Sequence, residues 1–125
     1  MITFPERFRT LAQIQPDKVA LVCGDERITY RELDDLSDRF AGAVAARGAG
    51  REKIYPIMLP RGIDYLAAAI GVQKAGAAFA PLSLEYPADR VTYIVGDCGS
   101  DLLIDQGFVD AARDHEPLRD CPVID

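Results

Sequence analysis

Residues 54–82, IYPIMLPRGIDYLAAAIGVQKAGAAFAPL, carry the pattern that decides the fold. The run Ile54–Leu59 is apolar without alternation, which predicts a strand covered on both faces. Gly62–Ala75 predicts a helix that ends at Gly76, and Ala78–Leu82 predicts a second strand. A strand, a helix and a strand at this pitch indicate a parallel β-α-β unit with a right-handed crossover.

The same alternation continues towards the C-terminus. Pro87–Cys98 predicts a helix that ends at Gly99, and Leu102–Ile104 predicts a short strand,. A weaker helix is expected at Phe108–Arg113, followed by a last strand at Pro122–Ile124. Strands and helices in this order predict an α/β fold of three layers, with a mostly parallel sheet flanked by helices.

The N-terminal part predicts a helix and a hairpin. Residues 4–14 place apolar side chains at helical spacing, and Pro16 ends that pattern,. The runs Val19–Cys23 and Arg27–Thr29 flank a turn sequence, which predicts a small antiparallel hairpin ahead of the parallel sheet.

A second helix is predicted to begin after Thr29. Glu32 follows Thr29 at capping-box spacing, in which the hydroxyl and the carboxylate each bind a free backbone N–H. Gly48 stands where a helix commonly ends in a left-handed residue. One face of this helix is apolar and the other carries carboxylates, which we expect to be exposed rather than to form a catalytic pair. These carboxylates are Asp34, Asp35 and Asp38.

Pro56 interrupts the first strand of the β-α-β unit. Proline has no N–H to donate to a sheet ladder. The strand is therefore expected to lie at an edge, to start late or to contain a bulge.

The composition is that of a single soluble globular domain, with 49% hydrophobic and 27% charged residues among 125,. The formal net charge is −6 and no Lys/Arg cluster occurs. Nucleic acids and anionic membranes require basic patches, so neither is expected as a partner. The N-terminus does not resemble a signal peptide, and the apolar run 65–70 is too short to span a bilayer. A cytoplasmic protein is expected.

Reactive side chains are few. The three cysteines, at positions 23, 98 and 121, form no CxxC pair, so we expect small buried hydrophobes rather than a zinc or redox site,. His115 lies in a polar stretch that predicts an exposed loop. Neither GxGxxG nor GxxxxGK[ST] occurs,. The residues alone therefore predict an α/β domain without a recognisable site.

Two motifs add a resemblance. ITYREL at residues 28–33 resembles the first core motif of the adenylate-forming superfamily, and QKAGAAFAPL at residues 73–82 resembles the second. That superfamily (the AMP-binding, or ANL, enzymes) includes nonribosomal peptide synthetase adenylation domains, acyl-CoA synthetases and luciferases. The sequences that flank the motifs also resemble the superfamily. Residues 16–20 resemble the segment before its hairpin, and residues 86–97 resemble the helix that follows its second motif. The resemblance is collinear from Phe4 to Leu103, and the Tyr-Pro-x-x-Arg element favours the amino-acid-activating branch.

The resemblance implies that residues 1–125 are the N-terminal part of an adenylation domain with an acetyl-CoA-synthetase-like fold. The family joins a carboxylate to ATP, giving an acyl adenylate and pyrophosphate, and transfers the acyl group to a carrier-protein thiol. ATP and Mg are its cofactors, but the groups that bind them lie downstream of the segment that matches. The resemblance therefore assigns no catalytic, cofactor-binding or metal-binding residue here, and we expect the chain alone to be inactive. The implied partners are the remainder of the domain, a carrier protein and, through an uncovered face, a second copy.

Lys74 is the one charged residue of the second motif, and we expect it to be a surface lysine whose stem covers apolar neighbours. Leu82-Ser83 departs from the family, which more often has an aliphatic residue followed by aspartate. Two alternatives remain open: a freestanding, non-catalytic docking module for a synthetase or carrier protein, and an unrelated flavodoxin-like binder that uses the carboxyl ends of its strands.

Overall fold

The computed structural model describes residues 4–48 and 53–118. In these ranges the predicted helices are all present, with ends that differ from the prediction by a few residues. The predicted strand Pro122–Ile124 and Cys121 lie outside the described residues. The elements are α1 Phe4–Ile14, β1 Val19–Cys23, β2 Glu26–Thr29, α2 Tyr30–Ala45, β3 Ile54–Ile57, α3 Ile63–Lys74, β4 Ala78–Pro81, α4 Ala88–Asp97 and α5 Gln106–Ala112.

The strands form two small sheets. Strands β1 and β2 make the predicted antiparallel hairpin, with an irregularity between Val19 and Leu21. Strands β3 and β4 pair in parallel, from Ile54 opposite Ala78 to Ile57 opposite Pro81. The predicted strand Leu102–Ile104 is reduced to one parallel bridge, between Ile57 and Ile104.

Pro56 explains why this third pairing is so short. The Pro56 carbonyl accepts from Ile104 N at 2.9 Å, and Met58 N donates to Ile104 O at 2.8 Å. The N and C=O of one strand residue point to the same side, so the missing N–H of Pro56 faces the same neighbour. The ladder cannot extend past it. The three alternatives predicted for Pro56 are therefore wrong. Strand β3 begins at Ile54, pairs with β4 through Pro56 without a bulge, and has a second neighbour at Ile104, so it is not an edge.

Both faces of β3 are covered. Tyr55, Pro56 and Ile57 are consecutive and all buried, and consecutive strand residues point to opposite faces. Helix α3 packs on β3 and β4, and α4 contacts β3. The α/β prediction, with helices flanking a parallel sheet, is confirmed.

Helices α2 and α3 form the centre of the core. Phe40, Ala41 and Val44 of α2 are buried, as is every residue of α3 from Ala67 to Val72. Gly71 permits the close crossing, because a Cβ there would lie 2.9 Å from the Ser37 carbonyl oxygen and 3.0 Å from Ala41 N.

The capping box predicted at the start of α2 is present. Thr29 Oγ1 accepts from Glu32 N at 3.2 Å, and Thr29 N donates to Glu32 Oε1 at 2.8 Å. These bonds hold the pKa of Glu32 below its ordinary value, since they favour the charged carboxylate. At the end of α3, Gly76 has φ 86°, the left-handed turn that leads the chain into β4.

Candidate functional site

The charged face of α2 is not the exposed surface that its periodicity predicts. The Asp38 side chain is fully buried, and that of Asp34 is only 16% exposed. Asp35 alone matches the expectation, at 42% exposed and paired with Arg39 at 3.0 Å. The prediction is wrong for Asp34 and Asp38 because α1 and α3 both pack on α2.

Lys74 is also buried, which corrects the prediction of a surface lysine. It is 0% exposed. Its Nζ donates to Asp34 Oδ1 at 2.6 Å, to Asp38 Oδ1 at 2.9 Å and to Ser37 Oγ at 2.7 Å. The last turn of α3 lies inside the core because the stretch Ala67–Val72, directly before it, is apolar and buried around its whole circumference,.

Helix α1 supplies the second cation. Arg9 donates hydrogen bonds to Asp38 from both terminal nitrogens, with Nη1 2.7 Å from Oδ2 and Nη2 2.8 Å from Oδ1. Nη1 also lies 3.3 Å from Asp34 Oδ2. The Phe8 ring centroid is 5.3 Å from Lys74 Nζ, within cation–π range,. We call Arg9, Asp34, Asp38 and Lys74 the ion cluster; it contains two positive and two negative side chains.

The ion cluster joins helices α1, α2 and α3. Its two central groups, Lys74 and Asp38, are inaccessible to solvent, so a substrate has no approach to them. Its charges balance, and a buried charge must be paired and hydrogen-bonded to be tolerated. One signal for it was present in the sequence: Lys74 follows the apolar stretch Ala67–Val72 closely, so a helix buried along that stretch places the lysine near the core.

An open cleft lies where β3 and β4 end. Its volume is about 730 Å³. In open parallel sheets, ligands bind outside the carboxyl ends of the strands, so this is where the flavodoxin-like alternative would place a ligand. The walls are mostly apolar, and the lining side chains that carry polar groups are those of Arg61, Tyr65, Ser83 and Glu85. The lining residues are Leu59, Pro60, Arg61, Gly62, Tyr65, Pro81, Leu82, Ser83, Leu84 and Glu85.

Of the other singled-out residues, the structure describes His115, Cys23 and Cys98. His115 is half-buried and not exposed as expected, with Nδ1 3.0 Å from the Glu116 carbonyl oxygen, because its segment packs over Gly42 of α2. Cys23 and Cys98 are free and half-buried, not fully buried as expected. Among the described residues, no group of three or more His, Cys, Asp or Glu could hold a metal ion. No helix in these same ranges is long and apolar enough to cross a membrane.

The profile of one protein family, described as AMP-binding enzyme, matches residues 8–125. The chain belongs to the AMP-binding enzyme family. It is 37% identical over 123 residues, 98% of the chain, to a probable non-canonical nonribosomal peptide synthetase, CymA, of Salinispora arenicola. It is 32% identical over 99% of its length to surfactin synthase subunit 1 of Bacillus subtilis. The chain spans only 2% and 3% of those two relatives.

Solved structures of nonribosomal peptide synthetases share this fold. The synthetase FmoA3 aligns with a TM-score of 0.78 and 27% identity over 86% of this chain and 12% of its own. The N-terminal subdomain of Klebsiella oxytoca NpsA aligns with a TM-score of 0.82 and 21% identity over 99% of this chain and 34% of its own. This chain therefore has the fold of part of an adenylation N-terminal subdomain, as the two motifs implied.

Proposed function

We propose that this chain is the opening segment of an adenylation domain that activates an amino acid and passes it to a carrier protein. The match to the AMP-binding family over residues 8–125 carries the proposal. Relatives that are peptide synthetases support the amino-acid branch. The Tyr-Pro-x-x-Arg element adds a physical contact, because the Arg90 guanidinium lies 4.9 Å from the Tyr86 ring centroid.

The proposed reaction has two steps. A carboxylate oxygen of the amino acid attacks the α-phosphorus of ATP, and pyrophosphate leaves with the electron pair of the broken P–O bond. The sulfur of a carrier-protein thiol then attacks the acyl carbon of the adenylate, and AMP leaves. The proposal places this ATP-dependent chemistry in the cytoplasm.

In this proposal, the segment is scaffold and contributes no catalytic, nucleotide-binding or metal-binding residue. Its charged centre is closed to solvent by the packing of three helices. The developing charge on phosphate needs preorganised donors or a metal ion, and ATP and Mg are expected to bind to parts of the domain beyond this segment.

A chimera tests the proposal. Residues 4–118 replace the matching segment of an active peptide-synthetase adenylation domain that is at least 30% identical there. We expect ATP–pyrophosphate exchange with the amino acid of the host, because the segment supports the fold without selecting the substrate. A matched chimera with Lys74→Met should lose soluble protein. A change of amino-acid preference would refute the scaffold role, and the 125-residue chain alone should show no exchange.

One observation favours the second candidate, a non-catalytic docking module. Helix α4 is amphipathic, yet none of its residues is buried, and Tyr93 is 71% exposed. A freestanding module would present this helix to a synthetase or carrier protein. Light scattering separates the candidates: a segment that needs the rest of its domain should form dimers or aggregates through uncovered apolar surface, whereas a module should remain a monomer at high concentration.

A further inference from the structure

Helix α1 is attached to the domain through a small set of side chains. Only Pro5, Phe8 and Ala12 of this helix are buried, and Arg9 adds the charged contact to α2. Its two ends are exposed, with Phe4 at 52% and Ile14 at 70%. Phe8 packs beside Tyr30, with ring centroids 6.0 Å apart. The attachment therefore includes one buried aromatic ring and one guanidinium, beside the buried side chains of Pro5 and Ala12.

The surface that receives Arg9 is also held by contacts between α2 and α3. Lys74 Nζ binds Asp34 and Asp38, and Ser37 Oγ also accepts from that Nζ. All of these groups belong to α2 and α3, which pack closely at Gly71. The two carboxylates thus remain oriented by Lys74 on one side and present oxygens to α1 on the other. We call Asp34 and Asp38, oriented in this way, the carboxylate pair.

The carboxylate pair fits a guanidinium better than another cation. A planar guanidinium donates two parallel bonds to one carboxylate, which an ammonium cannot do. Arg9 makes this fork with Asp38 at 2.7 and 2.8 Å. Without Arg9, the other three charges of the ion cluster sum to −1. Docking of α1 therefore completes the charge balance of the site.

The chain directly after α1 is fixed to the rest of the domain by backbone hydrogen bonds. Beyond the C-terminal end of α1, Arg31 N donates to Pro16 O at 3.0 Å and Tyr30 N donates to Lys18 O at 2.9 Å. These bonds tether the chain after α1 to the start of α2. The first strand begins at Val19, so separation of residues 4–14 breaks no sheet hydrogen bond.

We propose that α1 is a strap, docked by insertion of the Arg9 guanidinium into the carboxylate pair, which opens as a unit while the rest of the domain stays folded. Local opening of this kind occurs in cooperative segments whose stability lies below that of the whole protein. The strap would give the domain two states, closed and open, and Arg9 would set the balance between them.

Native-state hydrogen exchange of the full chain tests the strap. In Arg9→Ala we expect the α1 amides to exchange about ten- to a hundredfold faster, the effect of losing a charged hydrogen-bonded pair, with little change in α2 and α3. Arg7→Ala is the matched control, since Arg7 is an exposed arginine of the same helix. Equal acceleration of α1 and α2 would overturn the proposal, as would an Arg9→Ala result no different from that of Arg7→Ala.

Chemical rescue tests the choice of guanidinium. Methylguanidinium at millimolar concentration should slow α1 exchange in Arg9→Ala and saturate, and methylammonium should not. Neither should alter the wild type. If Arg9→Ala does not fold, Arg9→Lys keeps the charge and the stem but loses the fork, and should show the same selective acceleration of α1. Absence of rescue in a folded Arg9→Ala, or wild-type exchange in Arg9→Lys, would overturn the assignment.

Discussion

Lys74 Nζ lies 2.9 Å from Asp38 Oδ1, and both side chains are fully buried. One residue ends α3 and the other lies in the middle of α2, 36 positions apart in sequence. Removal of either partner leaves the other as a buried charge with reduced compensation, which is far more costly than loss of a surface pair. The pair therefore makes the helix crossing specific as well as close.

Lys74→Met is expected to destabilise the chain by about 3–5 kcal/mol, because Asp34 and Asp38 lose the cation that compensates them in the core. Urea unfolding measures this change. Lys18→Met is the matched control at an exposed lysine and should lie within about 0.5 kcal/mol of wild type.

The double variant Lys74→Met with Asp38→Asn sharpens that prediction. The two changes remove one buried charge of each sign, so their combined effect should be smaller than the sum of the single effects. Strict additivity would contradict a direct interaction between the two side chains.

Gly71→Ala is expected to destabilise the α2–α3 crossing by about 1–3 kcal/mol, the usual cost of overpacking. The added methyl would meet backbone atoms of Ser37 and Ala41 at 2.9 and 3.0 Å. Gly96→Ala in α4 is the control, since a Cβ there meets no atom within 4 Å. That change should stabilise the chain by about 0.5 kcal/mol through helix propensity. Equal effects at the two glycines would contradict the close crossing.

The capping box should make stability depend on pH through Glu32. Its pKa is lowered by the hydrogen bonds with Thr29 from an ordinary value of 4.5. A carboxylate with a lowered folded-state pKa contributes stability above its unfolded pKa and loses that contribution as pH falls through the folded value. The stability difference between wild type and Glu32→Ala should therefore be present at neutral pH and vanish in acid.

Thr29→Val provides the companion measurement for the capping box. It keeps the β-branched shape and removes the hydroxyl acceptor, which costs about 1 kcal/mol at a helix N-cap. It should reduce, but not abolish, the acid dependence due to Glu32, because the Thr29 backbone N–H still donates to the Glu32 carboxylate. A pH-independent effect of Glu32→Ala, followed by urea unfolding across the acid range, would contradict this account.

The Tyr55 hydroxyl should titrate above its ordinary pKa. Burial, followed by the charge of Asp101, raises the pKa of its hydroxyl above the ordinary 10.0. A raised folded-state pKa means that its contribution to stability is complete below the unfolded pKa and is lost as pH rises through the folded value. In an alkaline titration of phenolate absorbance, Tyr55→Phe should remove the late component. Tyr93→Phe, at a residue 71% exposed, should leave that component intact.

Local sequence patterns predicted most of the helices and strands because helix spacing, helix capping and helix termination depend on residues that are close together in the chain. Helical spacing and the Thr29–Glu32 pair located α2, and the glycine after Lys74 located the end of α3. The prediction of a full strand at Leu102–Ile104 was wrong because the neighbouring strand contains Pro56. The N–H that Pro56 lacks would point towards this segment. The resemblance identified the family, which residue patterns alone did not reach.

The sequence by itself determined the order of the elements, the caps of the helices and the family to which the chain belongs. These properties depend on residues close together in the chain or on motifs read in order. Only the tertiary structure decided that Asp38 and Lys74 are core residues and that Arg9 completes their charge balance. The polar face of a helix is expected to be exposed if only its apolar face packs against a neighbour. Here α2 is covered by both α1 and α3. Burial of a charge is set by the packing of distant elements, and the period of a single helix does not record it.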